Sequence, residues 1–309
     1  MKKNLLLILL AVATNCAVAQ NVSKNGHQIT PEPGDWGLGI DVNPFFQYFG
    51  NMFNGTQDNS APGWDFTSDA PIPFTITGLM VKDETTAYRG RLRIGIGSKT
   101  DVSIIDQDGS TASPPATVED ELKTSSTNIV LGAGLQKTRG KHRVKGIYGA
   151  ELLIGSGNGS KNEYTHGNNF NTDSLTIITP VPGAGYGFVT TTDWGAGPNN
   201  QTVTSSRTTE EKTGNTFYIG LRGFIGVEYF FAPKMSIAGE FGWGVRYQST
   251  AEGEVTTESF DTGSDPAAFD DSIRSVTTKT GKTSDFGLDT DSGNPFSTGT
   301  GSLRMTFYF

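Results

Sequence analysis

Arginine occupies every second position at Arg89, Arg91 and Arg93, and alternate residues of a β-strand share one face. Charged residues recur on the matching face of the other strand-like segments, giving eleven in all: Asp41, Arg89, Arg91, Arg93, Lys145, Glu151, Arg222, Glu228, Glu240, Arg246 and Arg304. Seven of them are positive and four are negative. If these side chains are enclosed, they must form ion pairs, because an isolated buried charge is costly. If they line an open bore, the positive excess favours small anions.

Catalytic chemistry has little support in the sequence. The three histidines, His27, His142 and His166, fall in an N-terminal tail, a short turn and a long loop. A hydrolase needs a nucleophile, a base and an orienting group at one site. His166, which lies near loop serines and aspartates, is the one candidate base. We therefore predict a protein that is not an enzyme and has no catalytic residues.

Metal binding is also poorly supported. Asp285, Asp289 and Asp291 alternate before Gly293, a spacing that can hold Ca²⁺. The remaining ligand positions do not fit an EF-hand loop, so the pattern favours solvated acids. The sequence predicts no metal and no cofactor.

Eight segments alternate apolar and polar residues with the period of two that indicates a half-buried strand. They cover 36–43, about 74–81, 87–97, 128–137, 144–154, 216–230, 235–247 and 301–309. The last segment places Leu303, Met305, Phe307 and Phe309 on one face and ends the chain on an aromatic residue. A membrane barrel needs such an apolar face on its lipid side.

The connections between these segments alternate in length. Short links follow the second, fourth and sixth segments, and long loops are predicted at about 54–73, 98–126, 156–214 and 249–299. A soluble β-sandwich would also alternate, but its loops need not split into two length classes. Short turns and long external loops are typical of outer-membrane barrels. The sequence thus predicts an all-β fold: an eight-stranded antiparallel up-and-down transmembrane β-barrel with long external loops.

The N-terminus is typical of an export signal. Lys2 and Lys3 precede an apolar run at 5–13, and Ala17-Val18-Ala19 forms a cleavage site before Gln20. Cys16 leaves a lipoprotein signal as an alternative. The predicted organisation is a cleaved signal peptide at 1–19, a short tail at 20–34 and a barrel at 35–309. The net charge is −8, and loss of the two signal lysines makes it −8 − 2 = −10, which excludes a typical nucleic-acid binder.

Two tracts, 79–89 and 226–235, together with the signal and the strand pattern, resemble Bacteroidota outer-membrane β-barrels of the small OmpA/OmpX/OmpW type. The resemblance implies that the barrel-assembly machinery reads the terminal strand, where Met305, Phe307 and Phe309 match the family pattern. Asp173-Ser174-Leu175 and Asp271-Ser272-Ile273 resemble the Bacteroidota O-glycosylation motif, which makes Ser174 and Ser272 candidate modification sites.

The sequence favours a non-enzymatic outer-membrane protein with a structural or accessory role and a lumen plugged by charged side chains, since eight strands enclose little space. Its expected partners are outer-membrane lipid, the assembly machinery and a membrane or extracellular protein that contacts the loops. A narrow channel or carrier for small, anionic solutes is the alternative. A membrane-embedded lipid hydrolase that uses His166 is the third hypothesis.

Overall fold

The structure is a computed structural model that describes residues 22–23, 26–42, 48, 51–52, 75–140, 142–170, 188–260, 273–289 and 302–309. Its strands are β1 (Trp36–Asp41), β2 (Ile76–Asp83), β3 (Thr86–Asp106), β4 (Thr117–Arg139), β5 (Val144–Thr165), β6 (Val189–Thr192), β7 (Gln201–Thr204), β8 (Ser206–Lys212), β9 (Asn215–Ala232), β10 (Met235–Thr250), β11 (Glu254–Phe260), β12 (Ile273–Lys279), β13 (Thr283–Asp289) and β14 (Ser302–Tyr308). In the described part of the chain, no helix is long and apolar enough to cross a membrane. The predicted signal peptide, the predicted loop at 54–73, Ser174 and Ser272 lie outside the described residues.

Eight strands close into an antiparallel up-and-down barrel, which confirms the predicted fold class at that level. Their order is β1-β2-β3-β4-β5-β9-β10-β14, and β14 pairs back with β1. Closure gives every barrel strand two neighbours over part of its length, so the wall has no free edge there.

The two ends of the barrel differ in their connections. Three short links join successive strands at one end, which we call the turn end: Glu84-Thr85, the link from Arg139 to Val144, and Pro233-Lys234. Trp36 and Phe309 also lie there, and each donates its backbone N–H to the other's carbonyl at 2.9 and 2.8 Å. The opposite end, the loop end, carries the longer connections.

Three strands run further toward the loop end than the sequence predicted. β3 continues to Asp106 and β4 begins at Thr117, so most of the predicted loop at 98–126 is a paired hairpin. The predicted loop at 156–214 contains the end of β5 and β6 to β8, and that at 249–299 contains β11 to β13. The predicted strand ends were wrong because they were placed where the outward apolar alternation stops. The backbone ladder continues beyond that point, since its hydrogen bonds do not depend on side-chain polarity.

Along much of the wall, enclosed and exposed side chains alternate. Along β9, even-numbered residues such as Tyr218 and Phe230 are buried, whereas odd-numbered residues such as Leu221 are exposed. The same period of two holds on β3 and β14. The core of the molecule is therefore the interior of the barrel.

Candidate functional site

The centre of the barrel holds a group of buried arginines and glutamates that five different strands supply. We call Arg89, Arg91, Glu151, Arg222, Glu240 and Arg304 the central cluster; they come from β3, β5, β9, β10 and β14. Each is at most 8% exposed. Because strands β3 and β10 are not neighbours in the wall, a contact between them crosses the interior.

Glu240 is the most connected member. Its carboxylate accepts two hydrogen bonds from Arg89, at 2.7 and 3.0 Å, and one from Arg222 at 2.9 Å. Arg304 and Arg91 approach it at 3.5 and 3.6 Å. One carboxylate therefore touches four guanidinium groups, which offsets the cost of burying them.

Glu151 is the second carboxylate of the cluster. Its Oε1 lies 2.7 Å from Nε of Arg89, and its Oε2 lies 3.1 Å from Nε of Arg91. The N–H bond of each Nε does not point toward a hydrogen-bond acceptor, so these contacts are ion pairs and not hydrogen bonds. Arg222 adds a longer contact at 3.5 Å.

The cluster holds four arginines and two glutamates, so neutral groups share in solvating the cations. The guanidinium carbon of Arg89 lies 4.3 Å above the ring centre of Phe224, and that of Arg222 lies 5.6 Å from the same ring. Gln136 Oε1 accepts from Arg89 at 3.4 Å and from Arg304 at 3.5 Å. Cation–π contact of this kind is strongest where water is excluded.

Glycines make room for the long side chains. A Cβ at Gly242 would collide with the guanidinium of Arg222, and one at Gly39 would lie 2.6 Å from Cδ of Arg304. Facing glycines thus allow an arginine to fold across the interior without displacing the wall.

The other predicted lumen residues lie apart from the cluster. Asp41 and Arg93 are buried on the same inner face. Arg246 donates to Asp285 at 3.0 Å and to Gln248 at 3.1 Å, nearer the loop end. The sequence had grouped Asp285 with loop acids, whereas β13 places it beside Arg246.

Glu228 lies between the cluster and the turn end. Its Oε1 accepts hydrogen bonds from Ser236 at 2.6 Å and from Tyr308 at 3.0 Å. Lys145 is half-buried, and its ammonium lies 5.6 Å from the ring centre of Phe230. Both Glu228 and Lys145 line a small cleft that opens at the turn end beside Pro31.

At the loop end, the β6–β7 hairpin packs against the extended part of β3, β4 and β5; we call residues 189–204 the strap. Asp120 on β4 is fully buried and accepts from Thr192 N at 2.7 Å, from Gly167 N at 2.8 Å and from the Thr191 hydroxyl at 3.1 Å. Burial alone would raise the pKa of Asp120. The His166 ring 4.0 Å away and the two backbone N–H donors outweigh burial, so the pKa lies well below its usual range.

His166 itself is held on both sides. Its Nε2 donates to the Thr208 carbonyl at 2.9 Å, and its Nδ1 lies 2.9 Å from the Thr191 hydroxyl. The side chain is 7% exposed. The hydrolase hypothesis needs this ring to reach a substrate. In the structure, Thr191 of the strap occupies one ring nitrogen and Thr208 of β8 occupies the other. Within the described ranges, no three His, Cys, Asp or Glu residues could together hold a metal ion.

Sequence reasoning missed the neutral members of the interior. Phe224 and Phe230 are buried among the charges, and Ile29 of the N-terminal tail is completely buried. Phe224 and Phe230 share the even-numbered parity of Arg222 and Glu228, so the period of two could have placed them inside. No comparable pattern marks Ile29.

Comparisons of the chain with models of known protein families, with curated proteins and with solved structures found no match.

Proposed function

We propose that this protein is an outer-membrane β-barrel whose bore the central cluster closes and whose role is structural or accessory. The main support for this proposal is the distribution of apolar and charged side chains between the two faces of the closed wall. Large apolar side chains face outward, while arginines and glutamates face inward. This arrangement suits a wall surrounded by lipid, where a charged outer face would be costly.

The outward face is apolar on successive strands around the wall. Leu131 on β4, Leu221 and Ile225 on β9 and Trp243 on β10 are 57%, 54%, 54% and 46% exposed. A soluble protein rarely exposes a continuous apolar surface larger than a few hundred Å². Insertion into a bilayer removes that surface from water and so stabilises the folded barrel.

The N-terminal segment supports export, and the terminal strand supports recognition by the barrel-assembly machinery. Met305 and Phe307 lie on the outward face of β14, and Phe309, which follows it, is 73% exposed. These side chains are therefore accessible to an assembly factor that contacts the outer surface of the last strand.

The central cluster supports a closed bore. Arg89 on β3 contacts both Glu151 on β5 and Glu240 on β10, so its side chain bridges the interior. An eight-stranded barrel leaves space only for side chains or one small ligand. We infer that function lies in the outer parts of the molecule, where β3, β4 and β5 rise beyond the apolar wall and carry the strap.

A channel for small anions is the second candidate. The excess of arginine over glutamate in the central cluster favours it, because rearrangement of the cluster would expose positive charge to a permeating ion.

Two matched variants test the membrane placement. Leu131 and Ile104 are 57% and 55% exposed on the outer face, but only Leu131 lies within the apolar wall. We expect Leu131→Arg to decrease the free energy of unfolding in lipid vesicles by about 2–4 kcal/mol. Ile104→Arg should change the same quantity by less than about 1 kcal/mol. Equal effects in the two variants would contradict the placement.

Conductance of the purified protein in planar bilayers separates the two functions. The closed barrel should give no steady current, and the accessory role predicts a stoichiometric companion after mild-detergent purification from the native membrane. Anion-selective openings that shift when Arg89, Arg91 and Arg93 are neutralised would favour the channel instead.

A further inference from the structure

The N-terminal tail forms part of the barrel's turn end. Ile29 is 0% exposed and belongs to an apolar group with residues from four other parts of the wall: Leu79, Val81, Ala87, Phe230 and Tyr308. Insertion of a completely buried isoleucine typically stabilises a protein by a few kcal/mol.

The tail is also bonded to two separate parts of the wall. Gly34 N donates to Val81 O at 2.8 Å, and Val81 N donates to Asp35 O at 2.9 Å, which attaches the tail to β2. Lys234 N donates to Ile29 O at 2.9 Å, which attaches it to the turn between β9 and β10. The Lys234 ammonium also lies 2.8 Å from Asp35 Oδ2.

These attachments lie on opposite sides of the junction between the first and last strands. β1 and β14 pair from Gly37↔Tyr308 to Asp41↔Arg304, and backbone bonds between Trp36 and Phe309 and between Val42 and Leu303 extend the ladder by one residue at each end. β3 and β4 pair from Thr86↔Lys137 to Asp106↔Thr117, a far longer ladder. Because the β1–β14 junction joins strands from the two ends of the chain, it is the least local pairing of the barrel. Its ladder is also short, so few hydrogen bonds close it.

We infer that residues 29–35 are a latch that holds the β1–β14 junction closed and covers the turn end of the lumen. The latch bonds β2 on one side and the β9–β10 turn on the other, so its contacts are complete only when both sides of the junction are in place. Pro31 meanwhile borders the cleft that leads to Lys145, Glu228 and Tyr308. These contacts lie within the chain and are independent of the proposed membrane role.

Kinetics of unfolding test the latch. Ile29→Asp places a charge in the apolar group, and Gln28→Asp places the same charge on the adjacent, exposed residue. An interaction made after the main folding step mainly slows unfolding. We expect Ile29→Asp to unfold at least about tenfold faster in denaturant, with the folding rate nearly unchanged, and Gln28→Asp to match the parent.

Ile29→Ala provides the same test if Ile29→Asp does not fold. An unfolding rate equal to that of the parent in the Ile29 variants would overturn the latch. A decrease in the folding rate as large as the expected increase in the unfolding rate would also overturn the latch, because the tail would then belong to the folding nucleus.

Chemical labelling tests the cover. Cys16 is the sole cysteine of the chain, so protein starting at Gln20 carries none. Thr86→Cys, at a buried position that lines the cleft, should react slowly with a small thiol reagent, and adding Ile29→Asp should speed that reaction. Glu84→Cys, at an exposed position, is the control. Equal labelling rates of Thr86→Cys and Glu84→Cys in protein that keeps Ile29 would contradict the cover. The unfolding and the labelling measurements both work in micelles, independently of membrane location.

Discussion

Loss of one charge at Glu240 should destabilise the barrel far more than loss of an equally buried charge nearby. Glu240 meets four guanidinium groups within 3.6 Å. Glu240→Gln keeps the shape of the side chain but leaves four arginines facing Glu151 alone. Removing one partner of a buried ion pair costs about 3–5 kcal/mol, which corresponds to about 10²–10⁴ in the unfolding equilibrium constant.

Glu228→Gln is the matched control, because Glu228 is 1% exposed and accepts from the Ser236 and Tyr308 hydroxyls. A glutamine oxygen can accept the same bonds, so we expect a cost of about 1 kcal/mol. The assay is reversible denaturant unfolding in vesicles, followed by tryptophan fluorescence and by the heat-dependent shift in gel mobility.

A double variant sharpens the test. Arg91→Gln removes one excess positive charge, so Glu240→Gln combined with Arg91→Gln should cost at least about 1 kcal/mol less than the sum of the two single changes. If Glu240→Gln costs no more than Glu228→Gln, or if the double variant is additive, the arginines are solvated by something other than the glutamates, and our account of the cluster is wrong.

Three further predictions concern other parts of the chain. Gly242→Ala should destabilise the barrel by about 1–3 kcal/mol, because its Cβ would displace Arg222, whereas Gly78→Ala faces open space and should be neutral in the same unfolding assay. The lowered pKa of Asp120 means that its stabilisation is fully present above the usual value of about 3.9 and is lost as pH falls below it. Limited proteolysis of the strap should therefore increase only below about pH 4, and Asp120→Asn should remove that dependence. Phe309→Ala should leave unfolding unchanged within about 0.5 kcal/mol, yet reduce the amount of protein that reaches the outer membrane in cells.

The period of two predicted the barrel because it reports a local property. Each strand position faces either the interior or the exterior, and a residue such as Leu221 or Arg222 reveals its face through its own polarity. Eight such segments with short links between alternate pairs were enough to indicate an up-and-down arrangement.

The partners within the interior could not be predicted in the same way. Arg89 and Glu240 lie 151 positions apart, and their contact depends on how the closed strands are staggered. The polarity of Glu240 reveals that it faces inward, but not which guanidinium it meets. Strand length failed for a related reason, since the ladder between β3 and β4 persists beyond Ile96 through the polar, exposed positions Ser98 and Thr100.

The N-terminal tail shows a different limit. No run of alternating apolar residues around Ile29 is long enough to predict a strand or a helix. Its burial depends on a surface assembled from β2, β3, β9 and β14. His166 shows the opposite case, because the sequence identified a reactive residue type but not the two hydrogen bonds that occupy it.

The tall β3–β4 hairpin has a mechanical consequence. A tether bound at its tip, around residues 107–116, would pull nearly parallel to both strands. Both strands would then carry the load together in tension and would pass it, in shear, to β2 through the β2–β3 ladder and to β5 through the β4–β5 ladder. Any object held by this tip would be anchored through the wall itself, and the hairpin would transmit a pull to the wall more directly than a flexible loop of equal length.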